Sequence, residues 1–341
     1  MSSPSIASRI ARYDAALDRF ERWLAERQNP DGSLRGENLP CNAYMPLPVY
    51  GQARGRHDLG ERTWHFLERD YIRDGSLVQP EARCDMMPYT PAWFVMGAVL
   101  DERVGVRAVL QRDLLSYQDP RSGGFFASVA GRAAGSGIID FDSTTQACAA
   151  LCVAGLDEAA AKCGRFLRTL LEAQPDPARQ LVLQWDTARG LVRTAEPGLE
   201  FTAVLVYGQR KAHLYKIGLL ARALAFLAGT TGDRSYLELA ESHFKRAVAA
   251  SPDIWSNGLA HKMAWAAWTL FGLTADPYYA DCGGRMADHL VSLQQADGGF
   301  HYPELWPDYA KAPPDGKVNL SAQFATWISY VRAMTAAPTR A

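Results

Sequence analysis

Apolar positions recur at three- and four-residue intervals along most of the chain, the period of a helix with one buried face. Ile10, Ala15, Leu17, Phe20 and Leu24 mark an amphipathic helix over 8–28. The same pattern predicts helices over 58–71, 104–117, 157–173, 235–250 and 278–294. Three further segments, 143–155, 216–229 and 260–273, are apolar almost all round. A helix without a polar face is covered by neighbours on every side. Amphipathic helices interleaved with all-apolar ones therefore predict two concentric layers. Strand patterning is confined to 182–185 and 198–206, which read as a small local hairpin.

The loops repeat as well. Gln28-Asn-Pro-Asp-Gly-Ser-Leu34, Ile72-Arg-Asp-Gly-Ser-Leu77, Gln118-Asp-Pro-Arg-Ser-Gly-Gly-Phe-Phe126 and Gln294-Gln-Ala-Asp-Gly-Gly-Phe300 each follow a helix. In each, Asp supplies local hydrogen bonds and Gly takes the positive φ that stops the helix. A unit of roughly 45–55 residues holds two helices and two loops, which gives about six hairpins. The ~34-residue signatures of open helical solenoids are missing. The expected fold is all-α: one domain over 1–341, an α/α toroid closed as a double-layer barrel, with a central cavity where inner helices and loops converge.

Composition narrows the partners. The chain has 341 residues, 48% of them hydrophobic, and 36 basic side chains against 37 acidic ones. That balance gives no basic field for nucleic acid. The first helix carries Arg9, Arg12 and Asp14 and has no continuous apolar core, so no secretory signal is expected. No run is long enough for a transmembrane helix. Cysteines 41, 84, 148, 152, 163 and 282 are scattered, as reduced thiols of a cytoplasmic protein would be.

The repeated loops resemble the Q-x-x-D-G-G/S-[FW] turns of the squalene–hopene cyclase and prenyltransferase repeat. Ile139-Asp140-Phe141-Asp142-Ser143-Thr144-Thr145, at the start of an apolar helix, resembles the D-x-D-D-T segment of class II terpene cyclases. The resemblance implies that Asp142 is the proton donor of a cation-driven cyclisation, with Asp140 as its partner. Ser143 stands where that family has its third acid. Larger relatives enclose their cavity between two helical domains. Here loops, a second copy in a homodimer, or a smaller substrate would replace the missing wall. Prenyltransferase β subunits bind zinc through an Asp-x-Cys pair and a distant His. Asp281 and Cys282 are adjacent with His301 close by, so no metal is expected, nor any organic cofactor.

Independently of the resemblance, two carboxyl groups two residues apart at a helix start cannot both ionise cheaply once desolvated, so one pKa should rise. A helix cap is the plain alternative for the same string. Tyr89 and Trp93 open another helix, where aromatics suit an apolar or cationic species. His213, Tyr215 and Lys216 stand before one apolar helix; Trp255, His261 and Lys262 repeat the arrangement one hairpin later. A Lys opening an apolar helix is expensive unless paired, and either Asp140 or Asp142 is a candidate carboxylate. These residues are expected to bind substrate. The leading expectation is a cofactor-independent cyclase or isomerase of a small hydrophobic terpenoid, polyene or polyketide-like substrate. The alternatives are a carbohydrate-active α/α-barrel enzyme, an epimerase or glycoside hydrolase, and a non-catalytic interaction scaffold.

Overall fold

The computed structural model describes residues 5–36, 39–73, 76–77, 88–195 and 200–336. The helices are α1 (Ile6–Ala25), α2 (Leu47–Arg54), α3 (His57–Asp70), α4 (Tyr89–Leu100), α5 (Val104–Leu115), α6 (Val129–Ala134), α7 (Phe141–Val153), α8 (Asp157–Glu172), α9 (Glu200–Ala203), α10 (Tyr215–Thr231), α11 (Arg234–Ala250), α12 (Lys262–Thr274), α13 (Pro277–Ser292) and α14 (Pro314–Ala336). The six amphipathic segments and the three all-apolar ones expected from periodicity all form helices. No helix among the described residues is long and apolar enough to cross a membrane.

The chain divides into two compact units, Met1–Cys84 with Trp255–Ala341, and Asp85–Ile254. In the first, α1 packs on α14, α3 on α2 and α13 on α12, and α14 also touches both α2 and α12. In the second, α5 packs on α4, α8 on α7 and α11 on α10, with α7 touching both α4 and α10. Each unit thus sets buried helices side by side and covers them with amphipathic ones. The pairing is sequence physics: α7 and α12 bury nearly every side chain of their first ten residues. α8 instead keeps Cys163, Phe166, Leu167 and Leu170 on one stripe.

The repeated loops work as latches. Gln118 Nε2 donates to Gly123 O of its own loop (3.0 Å) and to Ala159 O of α8 (2.9 Å). Gln294 Nε2 does the same with Gly298 O (2.9 Å) and Ala16 O of α1 (2.8 Å). Gln28 Nε2 reaches Gly32 O (3.3 Å) and Thr63 Oγ1 of α3 (3.0 Å). At each latch the glycine has φ near +90° and lies so close to the next helix that a Cβ would strike its backbone. The first contact would be Arg62 O at 1.7 Å, Lys162 O at 2.4 Å or Arg19 O at 2.5 Å. Of the fourth such loop, Asp74 and Gly75 lie outside the described residues, as does Cys84. The five described cysteines carry no disulfide.

The β-structure is larger than the expected hairpin. β1 (Ile72–Arg73) and β2 (Ser76–Leu77) pair locally. β4 (Gln180–Val182) pairs with β7 (Val204–Val206), joining the two β-like runs; residues 198–199 of the second run lie outside the described residues. Between them, β5 (Gln184–Asp186) pairs with β6 (Gly190–Val192) and with β3 (Ile138–Asp140). β3 leads directly into α7, so this three-stranded sheet holds the start of that helix.

Candidate active site

The carboxylate pair lies in the second unit, at the N-terminus of α7. Strand and helix meet at Asp140. Its backbone N–H donates to Phe125 O (3.1 Å), and Phe141 N–H donates to Leu183 O (3.1 Å). Asp140 caps α7, its Oδ2 accepting the Ser143 N–H at 2.8 Å. Asp142 follows in the first turn, where the helix dipole favours an anion.

α10 brings the counter-charge. Lys216 Nζ lies 2.5 Å from Asp142 Oδ2, and the Tyr215 hydroxyl donates to the same oxygen at 3.1 Å. The Lys216 side chain is 2% exposed and that of Asp142 20%, so the ammonium is the buried member and the carboxylate the accessible one. No described residue hydrogen-bonds Asp142 Oδ1. Asp140, by contrast, has its pKa pushed up, chiefly by burial and then by the charge of Asp142, with Lys216 opposing. Two neighbouring carboxyl groups therefore sit in unlike environments, one ion-paired and one inclined to hold its proton.

His213 completes this cluster. Its ring stacks on Phe201 (4.3 Å between centroids, 11° between planes) and meets Tyr215 edge-on at 5.8 Å. Burial and the nearby Lys216 ammonium lower its pKa to about 4, against the pull of Asp142, so it is a neutral imidazole at pH 7. Tyr89 and Trp93 lie buried on α4, which packs on α7, with the Trp93 indole against the Tyr89 hydroxyl. Burial raises the Tyr89 pKa, and the charges of Asp142, Arg222 and Asp140 all reach it.

Sequence reasoning missed the polar layer beneath. Gln146, one turn along α7 from Asp142, and Arg222 on α10 are both fully buried. Arg222 Nη2 donates to Gln146 Oε1 at 2.5 Å. The one available signal was Arg222 itself, interrupting an apolar run.

Trp255, His261 and Lys262 belong to the first unit. The Arg285 guanidinium covers the Trp255 ring at 4.7 Å. His261 is buried at the start of α12, its Nδ1 2.9 Å from Gly258 O, and Glu304 Oε1 accepts the Gly258 N–H at 2.9 Å. Because a carbonyl only accepts, Nδ1 carries the proton. Burial, with the charge of Lys262, holds His261 well below its ordinary pKa. Lys262 is also buried. Among the described residues, no group of three or more His, Cys, Asp or Glu side chains is placed to hold a metal ion.

No protein-family model and no curated sequence matches the chain. Solved structures do. A GH76 α-mannanase from Bacteroides thetaiotaomicron superposes with a TM-score of 0.66 at 10% identity, over 94% of this chain and 96% of that one. A D-mannose isomerase gives 0.65 at 12% identity, over 97% and 99%. An inactive variant of the α-1,6-mannanase GH76A of Salegentibacter sp. gives 0.61 at 12% identity, over 95% and 99%. That variant carries two adjacent aspartates changed to asparagine and is complexed with α-1,6-mannotriose. At these identities the likeness shows the fold, and the fold is an α/α toroid.

The comparison overturns the terpene-cyclase resemblance, because the similar structures are carbohydrate-active enzymes. With it go the hydrophobic polyene substrate, the natural-product role and Asp142 as the acid that starts a cation cascade. The physical reasons are local. The Q-x-x-D-G loops are latches that any stacked helical hairpin can use. The Asp140-x-Asp142 string is a cap followed by an ion pair. The mouths of α7 and α10 carry Asp142, Lys216, Tyr215 and His213, above a buried Gln–Arg pair.

Proposed function

We propose that the chain is an enzyme acting on carbohydrate, a glycoside hydrolase that uses Asp140 and Asp142. The observation that carries this reading is the unlike pair itself. Glycoside hydrolysis needs one carboxylic acid to protonate the leaving oxygen and one carboxylate to supply negative charge at the sugar carbon, directly or through water. Asp140, with its raised pKa, suits the acid. Asp142, paired with Lys216 and with a buried Oδ1 that no described residue hydrogen-bonds, suits the carboxylate. The similar mannanase, inactive when two adjacent aspartates are changed, supports the same use of a carboxylate pair.

The test uses substitutions at both acids. Asp140→Asn keeps a good cap, so the fold should hold while glycosidase turnover falls by roughly 10²–10⁴, the usual worth of a general acid. Wild-type turnover in Asp140→Asn would end the assignment.

A second reading rests on His213. A neutral imidazole stacked on Phe201 beside Tyr215 could move a proton on a sugar, as isomerisation or epimerisation requires, and a D-mannose isomerase shares the fold. Conversion of mannose to a ketose, abolished in His213→Gln and retained in Asp140→Asn, would favour it over hydrolysis.

A further inference from the structure

A groove of about 240 Å³ opens elsewhere on the second unit, lined by Asp119, Arg121, Ser122, Trp185 and Thr187. It sits on the far side of the sheet from the acids. In an antiparallel pair, directly opposed residues share a face. Asp140 opposes Gln184, whereas Trp185 opposes Ile139 and projects the other way. The Trp185 ring is half-buried and is held edge-on by Phe166 (6.0 Å, 86°). Its position is thus fixed by packing.

The polar rim is equally well held. Asp119 is buried and accepts the Ser122 N–H (3.1 Å) and Ser122 Oγ–H (2.7 Å). The Arg121 side chain is 72% exposed, yet Nη2 is anchored on Gly135 O (3.1 Å) and Nε lies 3.7 Å from Asp119 Oδ1. Thr187 Oγ1 accepts the Gly137 N–H at 3.1 Å. One acid and one base offset each other, so the lining attracts no net charge. A firm aromatic ring beside a guanidinium fork and hydroxyls is complementary to a pyranose, which offers a C–H face and a hydroxyl rim.

We infer that this groove is a second binding site for one neutral hexose unit of an oligosaccharide. The inference rests on the reading of the chain as carbohydrate-active. It places a glycan hold on the strand hydrogen-bonded to the one that carries Asp140, but on the opposite face from the chemistry.

The experiment follows indole N–H signals of ¹⁵N-labelled Asp140→Asn protein by NMR, with the Trp185 signal assigned by its loss in Trp185→Phe. α-1,6-Mannotriose, cellobiose and inorganic phosphate are titrated separately. A saccharide should shift the Trp185 signal, and Arg121→Ala, on the surface, should weaken that binding by roughly two- to tenfold. A Trp185 signal that neither saccharide moves, or that phosphate alone moves, overturns the inference. The two proposals fail separately. A silent groove with turnover lost in Asp140→Asn removes only the second site, and a responsive groove with full turnover removes only the catalytic assignment.

Discussion

Lys216 is the residue on which the carboxylate pair turns. An ammonium 2% exposed at the start of an apolar helix is tolerable because Asp142 meets it. Breaking such a pair from one side typically costs about 3–5 kcal/mol, since the remaining charge stays buried. Asp142→Asn should therefore lower stability as well as turnover, and loss of activity in that variant alone is ambiguous. The double variant Asp142→Asn/Lys216→Met removes both charges and should recover most of the lost stability in urea unfolding while staying inactive. Recovery of turnover with stability would mean that the pair is structural only. Asp140 is the cleaner probe because its cap survives as Asn.

At the scale of elements, the three described latches each tie a loop to a neighbouring helix, and their glycines are specified by backbone geometry. Gly298 has φ +102°, with the Arg19 carbonyl where a Cβ would stand at 2.5 Å. Gly298→Ala should destabilise by at least about 1–3 kcal/mol, through strain in that conformation and displacement of α1. Gly229 in α10 has nothing within 4 Å of such a Cβ and an ordinary helical φ, so Gly229→Ala should be neutral or stabilising by up to ~1 kcal/mol. Equal unfolding midpoints for both variants would contradict the latch account. The helices and latches were legible because their signals are local, with 3.6-residue periodicity and turn residues a few positions apart. The β3–β5–β6 sheet was not, since its strands are three residues long, too short for a periodic signal, and β3 lies over forty residues from β5. Even the pairing of Lys216 with an acid could be anticipated from its cost, but not which acid. Asp140 and Asp142 are equal in sequence, and only the packing of α10 on α7 separates them.

For the whole molecule, buried histidines set a pH limit. Burial lowers His213 and His243 to about 4 and His261 well below its usual value. The unfolded chain binds protons at these groups near the ordinary histidine pKa of ~6.5. Between that value and about 4 the unfolded state holds more protons than the folded one, so stability falls as pH falls through this window. Calorimetry should show Tm dropping steadily from pH 7 to pH 4.5, and the slope should be shallower in His213→Gln/His243→Gln. A flat Tm across the window would contradict these environments. Function was less legible than fold because resemblance weighted a short acidic string that also serves as a cap. The polar groups of the proposed site lie at helix mouths separated in sequence. Their assembly in the second unit, with Asp140 held toward its acid form and Asp142 ion-paired, is the central claim. It is tested most directly by incubating wild-type protein with α-1,6-mannotetraose and following the anomeric protons by NMR. The account predicts new reducing ends from wild-type protein and none above background from Asp140→Asn; equal release by both proteins, or a wild type that leaves the oligosaccharide intact, would contradict it.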